Sequence, residues 1–203
     1  MHVSDQTAAI THHEAGHAVA ALMTVNNQLD DQSTVTVTLI DGCRGTGNGD
    51  LLVSGDHPVQ AAFIFYAGPW AEVRVQWGKP LHTLDDTNDH GMSFRRMVEA
   101  AFNDASHFGG GSDGARFATL AHDDPSIPEN EPYWSGELER AWPIIAKLAG
   151  ALRDRLKSAE AEPGPYAELN PNRTMQRTSM PNREVVALVQ LELEQRGMWH
   201  YLT

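Results

Sequence analysis

The sequence contains a single cysteine, Cys43, among its 203 residues. One cysteine cannot form an intramolecular disulfide, which indicates a reducing compartment or a chain that needs no covalent cross-link. No apolar run approaches the roughly 20 residues that a membrane-spanning helix requires. The polar segment 1–6 also lacks the basic and apolar regions of a signal peptide. We therefore predict a cytoplasmic protein that makes no membrane contact.

Basic residues are also scarce, with 15 Lys and Arg against 27 Asp and Glu and a net charge of -12. A chain of this charge is repelled by phosphate backbones, so nucleic acid is excluded as a partner. No Gly-rich phosphate loop followed by Lys occurs in the sequence, which gives no basis for ATP binding. The length is sufficient for one large domain with a sizeable core.

Histidine is plentiful, and two of the ten histidines form an H-E-x-x-H motif in the segment His13-Glu14-Ala15-Gly16-His17. Residues four apart on a helix project from the same face, so the two imidazoles can bind one metal ion. Glu14 would then lie beside the metal, where its carboxylate can take a proton from a metal-activated water. This combination is typical of zinc-dependent peptide hydrolysis.

The context of the motif argues against a chance match. Residues 4–25 have the pattern of one amphipathic helix, with Ser4 or Asp5 as its N-cap. Both histidines fall on a largely apolar stripe, and histidines that face a core need a polar partner. A metal ion satisfies both rings at once, and we therefore predict a zinc site.

A small β-sheet and a second helix are predicted to follow. Residues 33–40 alternate β-branched and polar side chains as in a strand with one buried face, and residues 45–49 have the composition of a turn. Residues 50–54 would form the returning strand. The next helix is predicted over residues 56–77, with Asp56 as N-cap and a kink or break at Gly68-Pro69.

An acidic turn over residues 83–90 precedes a third predicted helix. The carboxylates there could be solvated helix caps, each contributing about 1 kcal/mol. A catalytic zinc ion, however, takes three protein ligands, and the H-E-x-x-H motif supplies only two. Both interpretations stay open at this point.

Three segments together resemble the FtsH-type zinc metalloproteases. Residues 13–18, His-Glu-Ala-Gly-His-Ala, closely resemble that family's H-E-A-G-H-A core. Residues 67–72 are similar to its A-G-x-x-A-E helix, and residues 87–89 to its S-N-D element. The resemblance implies a mainly α domain with a small β-sheet, an FtsH-peptidase-like helical zincin. It also implies His13, His17 and Asp89 as metal ligands and Glu14 as the catalytic base.

The chain departs from the family in two ways. The sequence shows neither the AAA ATPase nor the membrane helices that normally accompany the peptidase. The T-G-A that often precedes S-N-D is Leu84-Asp85-Asp86, so Asp85 and Asp86 are rival third ligands. Glu72 is a further rival because thermolysin-like enzymes take a glutamate from a second helix. We rank Asp89 first, then Asp86, then Glu72.

The second half of the chain carries fewer signals. We predict a metal-site core over residues 1–108, a loop over 109–132, and a helical C-terminal part of the same domain over 133–203. Within that part, a helix is expected at 133–159, an extended linker at 162–181 and a last helix at 183–196.

The sequence thus predicts a zinc metalloendopeptidase that acts on peptides or unfolded protein, served by a separate ATPase or by homo-oligomers. The alternative is a non-catalytic, zinc-stabilised helical domain that binds a protein partner. A structural zinc site has four protein ligands and needs no general base, whereas a catalytic site keeps one position open.

Overall fold

The structure is a computed structural model that describes residues 3–25, 34–40, 46–49, 57–103, 113–164 and 174–202. The helices in these ranges are α1 (Val3–Met23), α2 (Pro58–Trp77), α3 (Phe94–Phe102), α4 (Asp113–Asp123), α5 (Glu131–Lys157) and α6 (Asn182–Gln195), with a 3-10 helix at Ile127–Asn130. The strands are β1 (Thr34–Ile40), β2 (Thr46–Gly49), β3 (Ala161–Pro163) and β4 (Thr174–Pro181). This confirms a mainly helical fold with a small sheet. Within those ranges we find no helix with the length and apolar character that crossing a bilayer demands.

The motif helix α1 is the centre of the fold. Every residue from Ala9 to Thr24 is buried, and α2, α5 and the sheet pack around the helix. A helix buried on all faces is a core element, whereas we expected an amphipathic helix with one polar face. Small residues permit this burial: a Cβ on Gly16 would lie 2.5 Å from the Ala67 carbonyl oxygen, so α1 and α2 are nearly in backbone contact.

The sheet is antiparallel, with the strand order β2-β1-β4-β3. The prediction for β1 is confirmed within one residue. Two other predictions are wrong: residues 46–49, expected to be a turn, form β2, and the expected linker contains β3 and the long strand β4. β4 pairs with all of β1, from Thr34 opposite Pro181 to Ile40 opposite Met175. The expected strand at 50–54 lies outside the described residues.

α2 runs through Pro69 without interruption, so the predicted break is wrong. His57 is its N-cap residue, and the predicted cap, Asp56, lies outside the described residues. α3 starts later than the acidic turn: its N-cap is Ser93, whose hydroxyl accepts a hydrogen bond from the Arg96 amide. None of Asp85, Asp86 and Thr87 is therefore its N-cap residue.

In the second half, α5 and α6 confirm the two predicted helices to within two residues at their ends. The segment 109–132 was expected to be a loop, but its described part forms α4 and the 3-10 helix. α4 packs against α2, and this contact brings the start of α4 to the motif helix.

The C-terminal residues pack against the end of α1. The amides of His200 and Tyr201 donate to the carbonyl oxygens of Leu22 and Met23 at 3.0 and 2.9 Å, and the Val25 amide donates to Leu202 at 3.0 Å. These bonds satisfy carbonyl groups that the last turn of a helix leaves free. The tail thus terminates the motif helix.

Candidate metal centre

The two motif histidines point their Nε2 atoms at each other from successive turns of α1. The two Nε2 atoms are 3.1 Å apart, and both rings are buried. Two neutral imidazoles with facing lone pairs repel each other unless a proton or a cation lies between them. The pair is therefore arranged for a shared positive charge.

The outer nitrogen of each ring has its own acceptor. His17 Nδ1 donates to the Ile64 carbonyl oxygen at 2.7 Å, and His13 Nδ1 donates to Glu72 Oε2 at 3.1 Å. A hydrogen bond at Nδ1 fixes the tautomer that leaves Nε2 free to bind a metal, and such partners are characteristic of metal-binding histidines. The α2 helix provides both acceptors, so α1 and α2 together orient the two rings.

Asp113, the first residue of α4, completes the cluster. Its Oδ2 lies 3.0 Å from His13 Nε2 and 3.2 Å from His17 Nε2. Among the described residues this is the one group of three metal-binding side chains whose ligand atoms converge. A tetrahedral site with bonds of about 2.0–2.1 Å spaces its ligand atoms roughly 3.3 Å apart, so the three atoms fit a zinc-sized ion and leave a fourth position open.

Glu14 lies beside this cluster and is itself buried. Within the described part of the chain, its carboxylate accepts no hydrogen bond. Burial raises the pKa of Glu14, while the neighbouring His13 and His17 pull it down; the net shift is upward. A carboxylate with a raised pKa is a stronger base near neutral pH.

The charges around the cluster favour a cation. Burial alone would lower the pKa of His13, but hydrogen bonds to Asp113 and Glu72 and the charge of Glu14 raise it to about 10. Burial likewise opposes ionisation of Asp113, yet the two histidines hold its pKa far below the usual range. A proton on His13 thus supplies the positive charge that a metal ion would supply at this place.

The predicted third ligands lie elsewhere. Asp89 is exposed on the loop before α3 and does not join the cluster. Asp86 accepts hydrogen bonds from the amides of His82 and Thr83 at 3.0 and 3.3 Å, which stabilises that turn. Asp85 is exposed and lies 3.6 Å from the Arg95 guanidinium. Glu72 does reach the site, as the partner of His13 Nδ1. His12 points away, as expected, and stacks on Trp142.

Sequence reasoning missed Asp113 because the residue follows a glycine-rich stretch, Gly109-Gly110-Gly111, that is typical of a loop. A faint signal was present: Ser112-Asp113 precedes a helical pattern, and an acidic residue in the first turn is typical of a helix start. Recognising α4 would have placed a carboxylate at its N-terminus. No local pattern predicts that this terminus lies against α1.

Gly68, in the segment 67–72 that is similar to the A-G-x-x-A-E helix, allows this segment to lie against the motif histidines. A Cβ at Gly68 would lie 2.2 Å from His17 Nε2 and 2.5 Å from Cε1. Only a residue without a side chain lets α2 pass this close to the imidazole. One turn later, Glu72 reaches His13, so residues 67–72 position both histidines.

The substitution Gly68→Ala is expected to lower metal affinity at least about tenfold, because the added methyl group displaces the His17 ring. Mutation of residues that orient metal ligands lowers metal affinity by about 10–100-fold. We also expect a loss of about 1–3 kcal/mol in unfolding free energy from overpacking. Metal titration and thermal denaturation measure the two effects. Gly136→Ala is the matched control: it lies within α5 with no atom within 4 Å of the new Cβ, so it should keep the metal. Equal metal affinity in both variants would contradict this role of Gly68.

The chain matches no protein-family model, and neither the curated proteins nor the solved structures include one significantly similar to it.

Proposed function

We propose that the protein is a zinc-dependent metallopeptidase of FtsH-like type, with His13, His17 and Asp113 as ligands and Glu14 as general base. The observation that carries the proposal is the convergence of two Nε2 atoms and one carboxylate oxygen at 3.0–3.2 Å, with the buried Glu14 beside them. The H-E-x-x-H sequence supports the same reaction class. Asp113 replaces Asp89 in this assignment.

When bound, a zinc ion would supply Lewis acidity to polarise a substrate carbonyl and acidify a water molecule. The chain's own residues provide the remaining functions. Ile64 and Glu72 hold the imidazoles in the binding tautomer. Glu14 is placed to take a proton from the attacking water and to pass it to the leaving amine. Burial of the site keeps competing water away from these groups.

The number and type of the converging ligands also distinguish a catalytic metal site from the alternative, a purely structural one. Structural zinc sites have four protein ligands, usually with cysteine. Three ligands converge here among the described residues, and none is a thiolate. Three converging ligands without a thiolate among the described residues, together with the adjacent Glu14, favour catalysis. Peptides or unfolded segments are the proposed substrates, and delivery by a separate ATPase or an oligomer belongs to the same proposal.

Elemental analysis of the purified protein and of its His17→Ala variant tests the proposal. We expect about one zinc per chain in the wild type, and a loss of metal affinity exceeding about 100-fold in the variant, because a ligand itself is removed. His12→Ala is the matched control, since His12 is adjacent but outside the cluster. A peptide library then measures hydrolysis. Absence of metal from the wild type would overturn the proposal, whereas bound zinc without hydrolysis of any peptide would support the structural alternative.

A further inference from the structure

A second candidate site lies between α2, α3 and α4, separate from the metal ligands. It is a cavity of about 210 Å³. Its apolar walls include the rings of Tyr66, Phe102 and Phe117, whose centroids are 5.1–6.4 Å apart. Rings in tilted contact form a rigid apolar surface. A volume of this size accommodates one compact ring or a branched apolar group.

The ring of Tyr66 forms part of the cavity wall, while its hydroxyl is enclosed by protein. Tyr66 is 1% exposed, and its hydroxyl makes no hydrogen bond to any described residue. The nearby Ser135 hydroxyl already accepts a hydrogen bond from Trp70 Nε1 at 2.9 Å. Because this hydroxyl has no accessible surface, only the ring of Tyr66 is available to a bound molecule.

The charges that line the cavity are mainly acidic. Glu131 lies 3.1 Å from the guanidinium of Arg95, which is also 3.6 Å from Asp85. Glu99 has no ion-pair partner among the described residues. Burial raises the pKa of the Glu131 carboxyl, Arg95 opposes this shift, and the charge of Glu99 adds to it. The lining of the cavity thus contains one cation, Arg95, and two carboxylates, Glu99 and Glu131, and a second cation would reduce the repulsion between the carboxylates.

We propose that this cavity binds a compact primary amine with an aromatic or branched apolar body. The apolar body would lie among the rings of Tyr66, Phe102 and Phe117, and the ammonium group would face Glu99 and Glu131. Neutral molecules of the same shape would gain only the apolar contacts. Anions of the same shape would meet the unpaired charge of Glu99 and be rejected.

Calorimetric titration with three probes of similar shape tests the charge preference: 2-phenylethylamine, 2-phenylethanol and 3-phenylpropionate. We expect the amine to bind most tightly, the alcohol more weakly and the carboxylate not at all. In Glu99→Gln, affinity for the amine should fall roughly two- to fivefold, as for a partly exposed ion pair, with no change for the alcohol. Equal affinity for amine and alcohol, or a stronger anion, would overturn the proposal.

Two substitutions on α4 test the location. Ala118 lines the cavity, so Ala118→Leu fills it and should reduce affinity for amine and alcohol at least about tenfold by steric exclusion. Ala115→Leu, equally exposed on the same helix but outside the lining, should leave binding unchanged. Circular dichroism verifies that both variants fold. Unchanged binding in Ala118→Leu, or no binding of any probe to the wild type, would refute the site. The same titration on His17→Ala separates this result from the proposed function, because amine binding should persist without metal.

Discussion

Replacing Glu14 with glutamine is expected to lower kcat for peptide hydrolysis by roughly 10²–10⁴-fold, the usual contribution of a general base. Glutamine has nearly the same shape, but it cannot take up a proton at neutral pH. The three proposed ligands are other side chains, so zinc content should stay at the wild-type level. Steady-state kinetics on a cleaved peptide, with zinc measured on the same samples, gives both quantities.

The kinetic pattern separates chemistry from binding. Loss of a group that acts only in the transition state lowers kcat and kcat/KM together, with little change in KM. Glu160→Gln, at an exposed position on the chain, is the matched control and should keep full activity. Wild-type kcat in Glu14→Gln would exclude Glu14 as the base. Loss of zinc in that variant would mean that Glu14 holds the metal instead.

A second large effect is expected from Asp113→Asn, which should lower zinc affinity at least about 100-fold. Removal of a group that only hydrogen-bonds to a metal ligand already lowers metal affinity by about 10–100-fold, and Asp113 is a proposed ligand itself. The amide keeps the volume of the side chain but lacks the negative charge that holds a cation next to two buried histidines. Competition with a chromogenic chelator measures the affinity.

Asp89→Asn is the decisive comparison, since the family resemblance assigns the third ligand to Asp89 and the geometry assigns it to Asp113. Wild-type affinity in Asp89→Asn together with the loss in Asp113→Asn would establish the geometric assignment. The reverse pattern would restore the assignment made from the family resemblance. Equal retention in both variants would exclude both carboxylates as ligands.

The local parts of the site were predictable from sequence. The spacing of His13 and His17 is a property of a single helix, and four residues place two side chains on one face in any fold. Residues 67–72 were identified only by resemblance, and their physical roles became visible with the structure. Gly68 and Glu72 act across the contact between α1 and α2, which no pattern within either helix can specify.

The third carboxylate and the sheet were not predictable in the same way. Asp113 is 96 residues from His17, and the acidic turn offered several closer candidates with the same chemistry. β4 consists mostly of half-buried and exposed residues, with Met180 as its one buried residue, so its sequence shows no apolar face and is typical of a linker. In both cases tertiary contacts, rather than the local composition of the segment, determine the structure. Such context dependence is common for strands.

The bonds between the tail and the end of α1 have a consequence for folding. Leu22 and His200 are joined although 178 residues separate them, and contacts of such long sequence separation form slowly. During synthesis, His13 and His17 leave the ribosome long before the residues that terminate their helix. Most of the stability of a helix within a protein comes from tertiary packing rather than from the helix itself. The motif helix α1 therefore reaches its final form late, when the C-terminal residues dock.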